Sequence, residues 1–388
     1  MPRRSSPARS RVDLNGEEKT FVFARRRALL SVLLAAGAAL AIGAADGKPP
    51  GLPDPLDTPA QLSGFAAKAA TTGIARQGDR LIAVGPRGLI MVSADAAVSW
   101  RQVTSPVSTD LVSVKFIGAN IAWAVGHDAV ALRSADAGAT WQKALDGRSV
   151  LALLRGTYAA RAKAGDGAAL AVSGEIERSM QQSATKDVFP EPFLDVWFAD
   201  ANEGFLVGAF GLVLRTGDGG KTWEPWIERL DNERRFHLYA MTGEGPRRYI
   251  AAEQGLLLQL DAATQRFVKL KTPYNGTFFG IDVRGERLLV FGLRGNAYVR
   301  LRDDTEWIKI ETLIDDNIVA ALNMADGRLL LVSQVGHVLE VSSDWRHARV
   351  LNKPAAGEVL GAVAAGPKRV ALARVSGVGA IDIAQLSP

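Results

Sequence analysis

The residues best suited to acid–base chemistry are two aspartates, Asp195 and Asp282, each lying within an apolar, strand-forming run. Hydrolysis of a glycosidic bond needs two carboxyl groups across a cleft, and aspartates on the inner strands of a sheet could supply such a pair. Neither aspartate has a recognisable catalytic neighbour in the sequence. We therefore interpret both as hydrogen-bonded polar residues of a core, and the sequence predicts no catalytic residue.

The sequence also has no recognisable motif for binding a metal or a cofactor. The four histidines, His127, His237, His337 and His347, lack the close i, i+2 or i, i+4 pairing that usually marks a metal site. The chain has no cysteine, which excludes disulfides and thiolate chemistry. It also lacks a phosphate loop, a dinucleotide fingerprint and a serine elbow. The sequence thus predicts neither a metal nor a cofactor.

A motif of the form S/T-x-D-x-G-x-T-W occurs at 134–141 and 216–223, with a weaker copy at 93–100. In this motif, the Asp-box, the aspartate accepts hydrogen bonds from its own turn, the glycine tolerates positive φ, and the tryptophan begins the next strand. These roles predict a structural element. The residues assigned to it are Asp95, Trp100, Ser134, Asp136, Gly138, Thr140, Trp141, Asp218, Gly220, Thr222 and Trp223.

The Asp-boxes belong to a longer repeat of two apolar strands joined by a tight turn that ends in glycine. Most copies are about 41 residues apart, with one double interval, and further short strands flank each copy. Four strands per copy are typical of a propeller blade, so the sequence predicts an all-β, seven-bladed β-propeller over 61–388. The seven turn-closing positions are Gly88, Ala129, Gly211, Gly255, Gly295, Gly336 and Gly379.

The double interval contains the segment 148–186, which has no hairpin signal and is rich in helix-forming residues. We predict a helical hairpin inserted there, between blades two and three. The last copy ends after its third strand, so we expect 62–69 to complete blade seven and close the ring.

The turns between second and third strands and the connections between blades emerge on the same face of a propeller. The helical insertion would leave the ring on that face, opposite the Asp-boxes. Exposed side chains beside such an arm suit partner recognition. The candidate residues on this face are Arg87, His127, Asp128, Phe210, Gln254 and Arg294.

The N-terminal segment indicates export. Three arginines, Arg25 to Arg27, precede an uncharged run at 28–45, so 1–45 suits either a cleaved signal or a single membrane anchor. The proline-rich residues 46–60 predict an extended linker. The expected location is periplasmic or otherwise extracytoplasmic.

The net charge of +5 is confined to residues 1–27, which hold eight basic and three acidic residues. The remainder has 38 residues of each sign and is neutral. A neutral body lacks the field expected of a nucleic-acid binder, so nucleic acid is not an expected partner.

The pattern AVGxxGxxLRSxDxGxTW of blades two and three, together with the export signal, resembles the bacterial-neuraminidase-repeat propellers related to the photosystem II stability and assembly factor. This resemblance covers 62–388 and implies a factor that helps to assemble a membrane complex, with relatives in non-photosynthetic bacteria. Asp-box sialidases share the repeat, but their Arg-Ile-Pro segment does not occur here. We expect a non-catalytic scaffold that binds a membrane or envelope protein, such as a transporter or an assembling complex. A glycoside hydrolase or a glycan-binding lectin is the alternative.

Overall fold

The computed structural model describes residues 53–183, 185–302, 304–352, 354 and 357–383. They form seven antiparallel sheets, of which six have four strands and the last has three described strands. The first strand of each sheet contacts the first strand of the next, and the seventh sheet contacts the first in the same way. The sheets therefore close into a ring, which confirms the seven-bladed all-β propeller.

Strands β1–β16 form the first four blades, one after another along the chain. Blade one is β1 (Gly73–Gln77), β2 (Arg80–Gly85), β3 (Leu89–Ser93) and β4 (Arg101–Gln102). Blade two is β5 (Leu111–Ile117), β6 (Ile121–Gly126), β7 (Ala131–Ser134) and β8 (Gln142–Leu145). Blade three is β9 (Phe193–Phe198), β10 (Gly204–Gly208), β11 (Val213–Thr216) and β12 (Glu224–Pro225). Blade four is β13 (Leu238–Glu244), β14 (Arg247–Ala252), β15 (Leu257–Asp261) and β16 (Arg266–Leu270).

Strands β17–β27 form the remaining three blades in the same order. Blade five is β17 (Phe278–Arg284), β18 (Arg287–Gly292), β19 (Ala297–Leu301) and β20 (Ile308–Ile310). Blade six is β21 (Ile318–Asn323), β22 (Leu329–Ser333), β23 (Val338–Val341) and β24 (Ala348–Val350). Blade seven is β25 (Val359–Gly366), β26 (Arg369–Arg374) and β27 (Gly379–Asp382).

The second strand of each blade carries the strongest apolar run because neighbouring blades cover both of its faces. In β2, the four residues from Leu81 to Val84 are fully buried. A strand buried on both faces reads as a continuous apolar run instead of an alternating one. The core of the ring is thus a series of layers between adjacent blades.

Two α-helices lie between β8 and β9 in the chain, α1 (Gly147–Lys163) and α2 (Gly167–Gln182). Asp146 caps α1 by accepting hydrogen bonds from its first amides. The apolar faces of both helices belong to the same buried cluster as residues of blades two and three. The helical pair is therefore packed onto the ring and does not project from it as a free arm.

The expectation that 62–69 supplies a fourth strand to blade seven is wrong. Ala66–Lys68 forms a 3₁₀ turn, and its backbone meets the turn between β26 and β27, where Val378 donates to the Ala67 carbonyl at 3.1 Å. Thr71 N donates to the Arg374 carbonyl at 2.9 Å. The 3₁₀ turn also contacts β3 and β4 of blade one, so the segment joins the two ends of the ring without adding a strand to the sheet of blade seven.

The described end of the predicted linker, 53–60, is packed against the ring. Leu56 is 2% exposed and belongs to the apolar cluster of blades one and two. Asp54 and Asp57 both pair with Arg148 at the start of α1. The predicted export segment 1–45 lies outside the described residues, and no helix within them is both long and apolar enough to span a bilayer.

Candidate functional site

The turns between second and third strands share one backbone geometry in blades one, three, four and five. Their central residue adopts the left-handed conformation, with φ of 58° at Arg87, 51° at Phe210, 52° at Gln254 and 54° at Arg294. A glycine follows each of them, again at positive φ. In blade one a Cβ on Gly88 would collide with the carbonyl oxygen of the next connection. The repeated glycine thus lets that connection lie against the turn. The residue that precedes the glycine then lies at the tip of the turn.

A side chain of the next blade holds several of these turns. The acceptor is the residue directly before the first strand of that blade. No motif marks this position, so the sequence did not predict its role. The Arg87 amide donates to Asp110 Oδ1 at 2.8 Å, the Phe210 amide donates to His237 Nδ1 at 2.9 Å, and the Arg294 amide donates to Asn317 Oδ1 at 3.1 Å.

The turn of blade three also forms one wall of a groove of about 300 Å³. The opposite wall is α2, and the connections that flank blade three complete it. Phe210 is 53% exposed at this groove. The apolar part of the lining consists of Val172, Ile176, Phe189, Ala209, Leu212 and Ile227.

Two carboxylates line the groove in different states. Glu175 on α2 pairs with Arg235, whose Nε lies 2.7 Å from Glu175 Oε2. Glu191 is half-buried and accepts a hydrogen bond from the Ser179 hydroxyl at 2.8 Å, and burial raises the pKa of its carboxyl. Within the described chain Glu191 takes part in no ion pair.

The groove keeps its shape because the helical pair is anchored to blade three. The hydroxyl of the fully buried Tyr158 donates to Glu228 Oε2 at 2.6 Å. Burial and the neighbouring Glu228 carboxylate raise the pKa of Tyr158, which keeps the phenol protonated as a donor. Arg161 pairs with the other oxygen of Glu228 and with Asp166. The wall formed by α2 is therefore fixed relative to the turn.

A row of aromatic rings continues from Phe210 along this face. The Phe210 and His237 ring centroids are 4.6 Å apart, and His237 lies 6.3 Å from Tyr239 on β13. Tyr239 lies 5.5 Å from Phe279 on β17. All three contacts are edge-to-face, so the exposed Phe210 is one end of a continuous aromatic strip.

The other predicted face residues occupy equivalent turns in other blades. Asp128 in blade two has φ of 52° and accepts a hydrogen bond from Thr109 at 2.9 Å, next to His127. Gln254 accepts one from Arg234 at 3.0 Å. Of the six candidates, only Phe210 lines the groove. The sequence did not reveal the helix wall or Glu191, because their proximity depends on how α2 packs.

The two full Asp-boxes have closed hydrogen-bond networks. Asp136 accepts from the Thr140 amide at 2.9 Å and hydroxyl at 2.6 Å, and Asp218 accepts from Thr222 at the same two distances. These bonds, those from the threonine hydroxyls first, lower the pKa of both aspartates to about 2. Ser134 Oγ accepts from the Gly138 amide at 2.8 Å.

The tryptophans of the boxes pack between blades. Trp141 is 7% exposed and its indole nitrogen donates to the Gly138 carbonyl at 3.0 Å. Trp223, which follows Gly220, stands edge-on to the buried Trp123 at 5.8 Å. In the weaker box, Asp95 accepts from Ser99, and Trp100 is partly buried. The boxes lie between third and fourth strands, at the end of each sheet opposite the groove.

The two inner-strand aspartates join blades. Asp195 is 3% exposed and accepts from the Ser113 hydroxyl of blade two at 2.8 Å and the Met241 amide of blade four at 3.1 Å. Asp282 pairs with Arg287 at 2.6 Å and accepts from Asn323 of blade six. Within the described chain, no group of three histidine, aspartate or glutamate side chains is arranged to hold a metal ion.

Comparison with known proteins points to one family. The family model described as photosynthesis system II assembly factor YCF48 matches residues 177–336. The photosystem II assembly lipoprotein Ycf48 of Synechococcus sp. (strain CC9902) is 33% identical over 100 residues, 26% of this chain. The chain spans 28% of that relative's length.

Two solved structures share the fold over most of their length. One is described as YCF48 bound to D1 peptide, with 13% identity, a TM-score of 0.57 and coverage of 83% of this chain and 95% of that one. The other is YCF48 from Cyanidioschyzon merolae, with 14% identity, a TM-score of 0.56 and coverage of 81% and 95%. At these identities the likeness concerns the propeller fold.

Proposed function

Because this chain belongs to the photosystem II assembly factor-like propeller family, we propose that it is a non-catalytic, protein-binding assembly factor. We place it outside the cytoplasm, directed there by residues 1–45, with a membrane or envelope complex as its target. Docking uses the face that carries the second-to-third-strand turns and the helical pair.

The observation that carries this proposal is the groove beside Phe210. A half-exposed aromatic ring next to an apolar groove with a few charged groups has the composition of a protein-binding hot spot. Further exposed apolar side chains lie on the same face, at Val335 and Val375 in turns and at Leu313 in a connection between blades. The Asp-box face has its polar groups engaged within its own turns.

A glycoside hydrolase or lectin, the alternative considered from the sequence, has no comparable observation in its favour. Both oxygens of Asp195 are engaged by neighbouring blades, and Asp282 is paired with Arg287. A glycan array and a panel of chromogenic glycosides test this alternative directly, and we expect both to be negative.

The experiment that tests the proposed function is recovery of partners from the native membrane fraction with the full chain as bait. Phe210→Ala should reduce the recovered partner by roughly tenfold or more, because it removes an anchor of the docking face. Val98→Ala is the matched control, since Val98 is an exposed apolar residue, 67% accessible, on the Asp-box face. Unchanged recovery with Phe210→Ala, or equal losses with both variants, would refute the proposal.

A further inference from the structure

The groove beside α2 has apolar walls and a carboxylate among them. Ile176, Phe189 and Leu212 contribute methyl, methylene and ring surface, whereas Glu191 contributes a half-buried carboxyl group. Apolar walls of this kind suit an aliphatic side chain, and they suit equally the methylene stem of a lysine or arginine. The Glu191 carboxylate distinguishes the two occupants, because only a lysine or arginine supplies a cation to pair with it.

Neighbouring carboxylates show what Glu191 lacks. Glu175 has the guanidinium of Arg235 at 2.7 Å, and Glu228 has the guanidinium of Arg161 as well as the Tyr158 hydroxyl. Among the described residues Glu191 has only the Ser179 hydroxyl as a side-chain partner, and burial raises the pKa of its carboxyl. A partly desolvated carboxylate without a cation is unfavourable in the free protein, and a cation delivered by a ligand would offset that cost.

The other charged groups of the groove are compatible with a basic ligand. Arg235 is already neutralised by Glu175. Arg178 is exposed at the edge of the groove, so water screens its repulsion of an incoming cation. An exposed guanidinium there also suits a carbonyl or acidic group of the same ligand. The half-exposed ring of Phe210 adds a surface on which a basic side chain or its stem can pack.

We propose that this groove receives a lysine or arginine side chain from an extended segment of the partner protein, with its stem along the apolar walls and its charged head at Glu191. This inference rests on the proposed function and gives it a chemical specificity. It makes Glu191 the residue that selects a basic side chain, and Phe210 and Ile176 the residues that hold its stem.

Selection of random dodecapeptides displayed on phage against the full chain tests the inference. We expect lysine or arginine to be enriched at one position. A synthetic peptide of the selected sequence should bind at least about tenfold more weakly when that basic residue is replaced by norleucine. Glu191→Gln should cause the same loss, and combining the two changes should add little, because both remove one interaction.

Binding should also depend on pH with a defined sign. Because Glu191 must be ionised to pair with the cation, affinity should rise as pH increases through its raised pKa, and Glu191→Gln should abolish that dependence. Glu177→Gln is the matched control, since Glu177 is an exposed carboxylate on α2, the helix that forms the groove wall, and pairs with Arg155 outside the groove. It should leave peptide affinity unchanged.

Four results would overturn the inference: absence of any enriched sequence, enrichment of only apolar or acidic side chains, full affinity of the norleucine peptide, or full affinity with Glu191→Gln. The norleucine comparison uses the unaltered protein, so it does not depend on how a variant folds. Each of these results leaves the membrane recovery experiment with Phe210→Ala as a separate measure of the proposed function.

Discussion

The two ends of blade three differ in where their hydrogen bonds go. At the Asp-box end, Asp218 accepts from Thr222 within the same turn. At the other end, Phe210 donates to His237 of the next blade, and its own ring remains exposed. One end is therefore self-contained, whereas the other takes its geometry from neighbouring elements and presents side chains outward. Partner binding is expected at the second end.

The largest expected effect comes from a turn glycine on the binding face. Gly255 has φ of 74°, and an added Cβ would collide with the carbonyl oxygen of Tyr274. Gly255→Ala should lower the free energy of unfolding by roughly 4 kcal/mol or more. Gly245 in the same blade has φ of 58° but open space around it, so Gly245→Ala should cost only about 1–2 kcal/mol. Urea titration measures both, and equal losses would show that the connection does not constrain the turn.

The next effect concerns the anchor of the helical pair. Tyr158→Phe removes the hydrogen bond to Glu228 and should destabilise the chain by about 1–3 kcal/mol, because the phenol is fully buried. Hydrogen exchange should accelerate in α1 and α2 while the Asp-box turn of blade three stays protected. Uniform acceleration in both places would mean that the two ends are not independent.

A smaller effect is expected at the Asp-boxes. The ordinary aspartate pKa of 3.8 falls to about 2 in Asp136 and Asp218, so the unfolded chain binds protons first as the pH drops. Their contribution to stability is present above about pH 4 and is lost as pH falls towards 2. Asp136→Asn combined with Asp218→Asn should flatten acid denaturation in this window. An unchanged acid transition would contradict the assigned hydrogen bonds.

The smallest expected effect is at His237, which positions Phe210 without being the proposed contact itself. His237→Ala removes the acceptor for the Phe210 amide and should weaken partner recovery by roughly threefold. His237→Asn should retain most binding, because Asn317 serves the equivalent turn of blade five. Equal losses in the two variants would show that the acceptor is not what matters.

The sequence was sufficient for features that each blade encodes locally. An apolar run like that from Leu81 to Val84 recurs in every blade, and a glycine like that at 88 recurs in most turns, because each blade must pack between two others and turn back at the same point. The Asp-box likewise concerns residues within one turn, as the Ser134 and Asp136 bonds illustrate. Such patterns can be predicted from the sequence without knowledge of the tertiary structure.

Features that depend on segments far apart in the sequence could not be predicted in the same way. Residues 62–69 were expected to supply the missing fourth strand of blade seven, yet their backbone meets the turn between β26 and β27, where Val378 donates to the Ala67 carbonyl. Glu191 follows α2 in sequence without any distinguishing motif, and its role arises only where α2 and the turn of Phe210 form a groove. Tertiary packing decides both cases.

Site-specific photo-crosslinking in native membranes tests the central claim most directly. A benzophenone amino acid placed at Phe210 should crosslink to a partner protein, because this position lies at the groove on the proposed docking face. The same amino acid at Val98, exposed on the Asp-box face, should give no such product. Crosslinking at Val98 with none at Phe210 would contradict the account.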